Sequence, residues 1–98
     1  MNANEYINGM ADLLRTTSAE HAKVEDVNGK KRIAAKFHSV SEMNSEMKKA
    51  FIANAETLKA LNVGLKALRA SGEIKSASQG YAPLVLERAI EFRMDFGF

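Results

Sequence analysis

The sequence predicts an α+β domain in which a small antiparallel sheet packs on helices. Three observations predict it: an Asn28-Gly29 dipeptide between two well-matched segments, apolar residues at helical spacing over residues 40 to 68, and strict alternation of apolar and polar residues over 90 to 98. The expected order is N-terminal helix, β-hairpin, long amphipathic helix, short helix and C-terminal strand. An all-α three-helix domain is the alternative. The 98 residues have the length of a single domain, 1–98.

The first helix is expected over residues 4 to 16. Asn2 or Asn4 can cap its N-terminus. Hydroxyl residues at 16 to 18 end the pattern, because their side chains compete for backbone hydrogen bonds. The apolar side chains recur every three or four residues on one side of this helix, at Ile7, Met10, Leu13 and Leu14.

The segment around Asn28-Gly29 is either a β-hairpin or part of a helical region. If one helix ended and another began here, Glu25 and Asp26 would lie at a negative C-terminus and three bases at a positive N-terminus, which is unfavourable at both ends. A two-residue type I′ turn, which Asn-Gly strongly favours, puts acids opposite bases instead. We therefore predict strands over 21 to 27 and 30 to 37, and a single helix from about 30 to 71 is the competing interpretation. The turn would pair Val27 with Lys30, Asp26 with Lys31, Glu25 with Arg32, Val24 with Ile33 and Ala22 with Ala35.

The strongest helical pattern covers residues 40 to 71. A capping box, Ser39-Val40-Ser41-Glu42, precedes it, Ser71-Gly72 supplies a stop, and Gly64 is a candidate kink. As one helix it would be roughly 45 to 48 Å long, whereas a compact domain of this size is about 35 Å across. Part of its apolar seam would then overhang, and a second copy of the chain is the simplest cover. We therefore predict a homodimer and a protein interface at Phe51, Leu58, Leu61, Leu65 and Leu68.

Asn44 and Asn54 interrupt this seam. They fit a dimer interface, where paired amides would fix the register, and they fit the edge of a monomeric core equally well. Both interpretations stay open at the level of sequence.

The last third of the chain begins with residues 72 to 82, which are rich in Gly and Ser and predict a loop. Pro83 suits the first turn of a short helix through Leu86. The alternation over 90 to 98 then predicts a strand, because a helix would stack three acids at four-residue spacing. The apolar strand face at the end of the chain should pair within the sheet, with pairing to a second chain as the alternative. The residues expected to cover the helical seam are Val24, Ile33, Phe37, Phe92 and Phe96.

Composition limits the classes of function. A hydrophobic fraction of 46% and a charged fraction of 27% are typical of folded globular proteins. Without cysteine, the chain can have no disulfide framework, thiolate zinc site or cysteine nucleophile. No signal peptide and no membrane span are evident, so we expect a soluble, cytoplasmic protein with no membrane partner.

Motifs that carry chemistry are missing from the sequence. There is no G-x-S-x-G elbow and no Gly-rich phosphate loop before a helix. His21 and His38 would lie diagonally on one face of the hairpin, near its open end, but no matched third ligand accompanies them. We therefore predict no catalytic residue, no cofactor and no metal site, and a protein that is not an enzyme.

A basic cluster on the predicted hairpin raises nucleic acid as a partner. The net charge of +2 is too small for binding by bulk electrostatics, so any such binding depends on this cluster. Glu25 and Asp26 offset part of its charge, and no aromatic residues are interleaved to stack on bases. The candidate nucleic-acid contacts are Lys23, Lys30, Lys31, Arg32 and Lys36.

These observations together predict a small non-enzymatic protein-interaction protein, an adaptor, regulator or inhibitor, that dimerises and docks on a larger protein. The alternative is a nucleic-acid-binding regulator that uses the basic β-hairpin.

Overall fold

The computed structural model describes residues 1–98 and contains three α-helices and one four-stranded antiparallel sheet. The strand order in the sheet is β1-β2-β4-β3. The predicted α+β class is therefore confirmed. In chain order the elements are α1 (Ala3–Leu14), β1 (Ala22–Val27), β2 (Lys30–Phe37), α2 (Val40–Ala53), α3 (Ala55–Ser71), β3 (Ser76–Leu84), a 3₁₀ turn (Val85–Glu87) and β4 (Ala89–Gly97).

The N-terminal helix is confirmed and begins with a complete capping box. The Asn2 side chain accepts a hydrogen bond from the Glu5 backbone N–H at 2.8 Å, and the Glu5 carboxylate accepts one from the Asn2 N–H at 3.0 Å. These bonds satisfy amide groups that a helix N-terminus otherwise leaves without partners.

The β-hairpin is confirmed, including its register. Ala22 faces Ala35, Glu25 faces Arg32 and Val27 faces Lys30. Asn28 and Gly29 have φ of 51° and 78°, the positive values that a type I′ turn requires. The competing single helix from about 30 to 71 is therefore wrong.

The prediction of one helix over residues 40 to 71 is also wrong. α2 ends at Ala53 and α3 begins at Ala55, with Asn54 between them at φ −114° and ψ 33°. The Asn54 side-chain amide donates to the carbonyl of Ala50 at 2.8 Å, which caps the end of α2. Gly64 lies inside α3 and does not break it. α3 packs on α1 beyond this break.

Residues 76 to 84 form strand β3, so the prediction of a loop over 72 to 82 is wrong for most of that segment. Pro83 lies within this strand and does not begin a helix; the 3₁₀ turn Val85–Glu87 follows it. The sequence signal was weak because β3 is an edge strand, which pairs with β4 alone. An edge strand tolerates proline and residues of low β-propensity.

The core lies between α1 and one face of the sheet. Ile90, Phe92, Met94 and Phe96 of β4 point toward the helices and are buried, and the Phe96 ring packs edge-to-face on Tyr6 with centroids 5.4 Å apart. Of the residues expected to cover the helical seam, Ile33, Phe37, Phe92 and Phe96 are buried in this core, and Val24 packs against it. The opposite, outer face of the sheet carries charged residues. None of the helices is long and apolar enough to cross a membrane.

Candidate protein-binding groove

An open apolar groove of about 770 Å³ lies between α2 and the β3–β4 side of the sheet. Seven of its 11 lining residues are hydrophobic. The main apolar residues are Met43, Met47, Phe51 and Ile52 on α2, Tyr81 on β3 and Phe92 on β4. We refer to this feature as the α2–β3 groove.

The α2 wall of the groove follows from helical spacing. Met43, Met47 and Phe51 are four residues apart, so their side chains lie on one side of the helix. Met43 is buried at the base, 6% exposed, and Phe51 is half-buried above it. The unbranched, flexible Met side chains can adapt to the shape of an occupant.

The sheet wall follows from the register of β3 on β4. Tyr81 lies opposite Phe92 and Gln79 opposite Met94, so all four side chains point to the helical face of the sheet. Phe92 and Met94 are covered, whereas Tyr81 at the sheet edge stays 54% exposed. The groove is thus a part of the inner sheet face that the helices leave open.

Exposed apolar side chains border the α2–β3 groove on both sides. Ile52 is 69% exposed on α2, and Tyr81 is 54% exposed on β3. Isolated exposed apolar residues are ordinary on protein surfaces, whereas these two lie along the margins of a single concavity.

Polar groups in the groove are few. Lys48 makes no ion pair, although eight ion pairs between Lys or Arg and Asp or Glu form elsewhere in the molecule. Asn44 and Gln79 are the other polar side chains of the lining, which includes no Asp, Glu, His, Ser, Thr or Cys. The groove therefore offers an apolar surface with one free positive charge and no nucleophile paired with a base.

The five residues predicted as a protein interface do not share a surface. Leu61 and Leu68 are 3% and 5% exposed and belong to the core of the chain itself. Leu58 and Leu65 are half-buried against the same core, and Phe51 alone lines the α2–β3 groove. The overhang expected of the seam does not occur, because the helix is divided at Asn54 and α3 packs on α1.

Four of the five candidate nucleic-acid contacts already engage carboxylates. Lys23 lies 3.8 Å from Glu25, Lys31 lies 2.9 Å from Asp26, Arg32 lies 2.8 Å from Asp95, and Lys36 lies 3.2 Å from Glu20 and 3.1 Å from Glu87. Lys30 makes no ion pair. The structure places Lys23, Lys30, Arg32 and Lys36 on the outer sheet face and Lys31 on the opposite one. Hydrogen bonds to Glu87 and Glu20 raise the pKa of Lys36.

The two histidines have different surroundings. His38 Nδ1 lies 3.0 Å from Glu42 Oε2, while His21 Nε2 is buried without a hydrogen-bond partner. No group of three or more His, Asp or Glu side chains converges in the structure. Ser18 instead binds both acids of α2: its hydroxyl donates to Glu42 and its backbone N–H to Glu46, each at 2.9 Å. These hydrogen bonds lower the pKa of Glu42 and of Glu46.

Sequence reasoning missed most of the α2–β3 groove. The four-residue spacing of Met43, Met47 and Phe51 was a usable signal for the α2 wall. Tyr81 gave no signal, because the segment that contains it has the composition of a loop. Only the register of β3 on β4 brings the two walls together.

Comparison with known proteins gave no match: no protein-family model, curated protein or solved structure resembles this chain significantly.

Proposed function

We propose that this chain is a small non-enzymatic protein-interaction protein that docks on a larger protein as an adaptor, regulator or inhibitor. The observation that carries the proposal is the α2–β3 groove, an apolar concavity of about 770 Å³ with Ile52 and Tyr81 exposed along its margins.

The residues that line the groove indicate what kind of partner would bind there. An open apolar groove suits a peptide segment or helix that lays an apolar face into it. Lys48 is the one charged residue of the lining and has no internal partner, so it favours an acidic residue beside the partner's apolar side chains. The occupant we propose is an apolar segment of a larger protein that carries a carboxylate placed to meet Lys48.

Nucleic acid is the less supported partner. Phosphate binding requires free cations, and four of the five hairpin bases are held by carboxylates of the same chain. No aromatic residue lies among them on the sheet surface to stack on a base.

A photocrosslinking experiment tests the proposed function. A photoreactive amino acid is placed at Ile52, in the groove, or at Val63, which is 66% exposed on α3 and outside the groove. In a lysate of the organism that encodes the chain, the position of Ile52 should crosslink a specific protein and the position of Val63 should not.

Affinity measurements with the crosslinked protein, purified, complete the test. Ile52→Ser should weaken binding about tenfold or more, since burial of a side chain of this size is worth roughly 1.5 to 3 kcal/mol. Val63→Ser is the matched control and should leave the affinity unchanged, and Lys48→Glu should weaken it by reversing the charge. Equal crosslinking at the two positions, or the lack of any protein whose affinity depends on Ile52, would overturn the proposal.

A further inference from the structure

The two edges of the sheet differ in charge. The β1 edge, AKVEDV, carries Lys23, Glu25 and Asp26, whereas the β3 edge, SASQGYAPL, carries no charged residue. Residues 76 to 86 form an uncharged stretch in a chain with 14 basic and 12 acidic residues. An edge strand exposes unpaired backbone N–H and C=O groups, and proteins usually protect such an edge with charge, proline or a covering element.

Protection of the β3 edge is incomplete. Pro83 interrupts one end, but Ser78, Gln79, Gly80 and Tyr81 are all exposed, and no strand pairs with their free edge. A Cβ at Gly80 would meet no atom within 4 Å, which shows open space along this part of the strand. The middle of β3 is therefore free to accept another strand.

We propose that a second copy of this chain pairs with β3 through its own β3, antiparallel and about a two-fold axis at Gly80. Each copy would then continue the sheet wall of the other's α2–β3 groove. The dimer itself follows from the strand edge, while its role in completing a binding site rests on the proposed function.

The lack of charge on β3 selects a second copy as the occupant. In a two-fold contact, residues near the axis meet their own counterparts, so a charged residue there would face a like charge. β3 brings no such conflict, because the nearest flanking charges, Lys75 and Glu87, lie outside the strand.

The register follows from strand length. An axis at Gly80, the midpoint of Ser76–Leu84, sets each of the nine residues of β3 opposite a residue of the second copy, with Pro83 as the one position that has no N–H to donate. It sets Gln79 opposite Tyr81 of the second copy on the helical face of the sheet, and Ser78 opposite Ala82 on the outer face. Gln79 and Tyr81 already line the groove, so the grooves of the two copies become continuous across the axis.

Two double variants test this contact. They differ from each other only in the sign of the charge at residue 79. Gln79→Glu with Tyr81→Glu places like charges opposite each other twice across the axis, whereas Gln79→Lys with Tyr81→Glu places opposite charges there. Light scattering over a range of concentrations should show that the natural chain approaches twice its mass of 10.8 kDa. The variant with Glu at both positions should dissociate at concentrations about tenfold higher or more than the natural chain does. The opposite-charge variant, Gln79→Lys with Tyr81→Glu, should remain dimeric.

Hydrogen exchange on the natural chain gives a measurement that needs no substitution. Amides of residues 78 to 82 should exchange more slowly at high protein concentration, and amides of the β1 edge should be unaffected. A chain that stays monomeric, equal masses for the two double variants, or exchange of β3 that does not depend on concentration would overturn the dimer.

The outcomes separate this inference from the proposed function. If the chain is a monomer and still binds its partner through Ile52, only the proposed dimer is contradicted. If the chain dimerises but no partner binds through Ile52, only the proposed function of the groove is contradicted.

Discussion

At the scale of single residues, the ion pair between Arg32 and Asp95 is the best-formed polar contact of the outer sheet face. The two residues lie opposite each other on β2 and β4, and Arg32 donates two hydrogen bonds to the carboxylate, at 2.8 and 3.2 Å. Their side chains are only 20% and 25% exposed. The hydrogen bond from Arg32 lowers the pKa of Asp95, because it favours the ionised carboxylate.

We predict that Asp95→Asn destabilises the protein by about 1 kcal/mol at pH 7, since a bidentate, partly covered pair lies at the upper end for surface ion pairs. Because the folded-state pKa of Asp95 is below its unfolded value, the pair stabilises the fold above about pH 4 and loses this effect as the pH falls further. Urea unfolding at pH 7 and pH 3 should therefore show a difference from the natural chain that shrinks in acid.

Asp12→Asn is the control for this prediction. Asp12 pairs with Arg15 at 2.8 Å, but its side chain is 72% exposed. Its loss should cost roughly 0.5 kcal/mol or less. An effect of Asp95→Asn that is the same at both pH values would contradict the role assigned to the ionised carboxylate.

At the scale of elements, the turn between β1 and β2 sets the register of the hairpin. Gly29 has φ of 78°, a conformation that costs a residue with a Cβ about 1 kcal/mol or more. A methyl group added there would meet no atom within 4 Å. The effect of a substitution at Gly29 therefore reports backbone strain without steric overlap.

We predict that Gly29→Ala lowers the free energy of unfolding by about 1 kcal/mol. Gly29→Asn should recover much of this loss, since Asn tolerates positive φ better than other residues with a Cβ. Thermal and urea unfolding of the two variants measure the difference. Equal stability of the Ala variant and the natural chain would show that the turn does not hold the geometry of the structure.

At the scale of the whole molecule, helices cover one face of a single sheet, which gives a flat body of 40 × 32 × 15 Å. One cluster of 20 buried residues joins helices and strands. Leu61 belongs to this cluster through the packing of α3 on α1, and it is 3% exposed. Leu61 therefore belongs to the core of the chain, although its position in an apolar seam predicted an interface.

We predict that Leu61→Ala costs about 2 to 5 kcal/mol of stability, the usual range for a leucine truncated in a core. The mass in solution should equal that of the natural chain under conditions where both are folded. Val63→Ala on the exposed side of α3 should change stability by roughly 0.5 kcal/mol or less. Urea unfolding and light scattering test both expectations. A change in mass with little change in stability would show that Leu61 lies at an interface.

Elements whose signals are local could be predicted from the sequence. Asn28-Gly29 specifies its own turn, Ser39 caps α2 by accepting from the Glu42 N–H at 3.0 Å, and alternation of side chains specifies β4. Each signal acts within a few residues, so neighbouring sequence is enough to read it.

Three features depend on packing between distant segments: the strand character of β3, the division of the long helix at Asn54 and the α2–β3 groove. β3 has weak intrinsic preference for a strand and becomes one through its ladder with β4. The helix divides where Asn54 caps α2 and allows α3 to reach α1. The groove is a gap between covering helices and a sheet edge, a property of how elements are arranged in space that no single segment of sequence encodes.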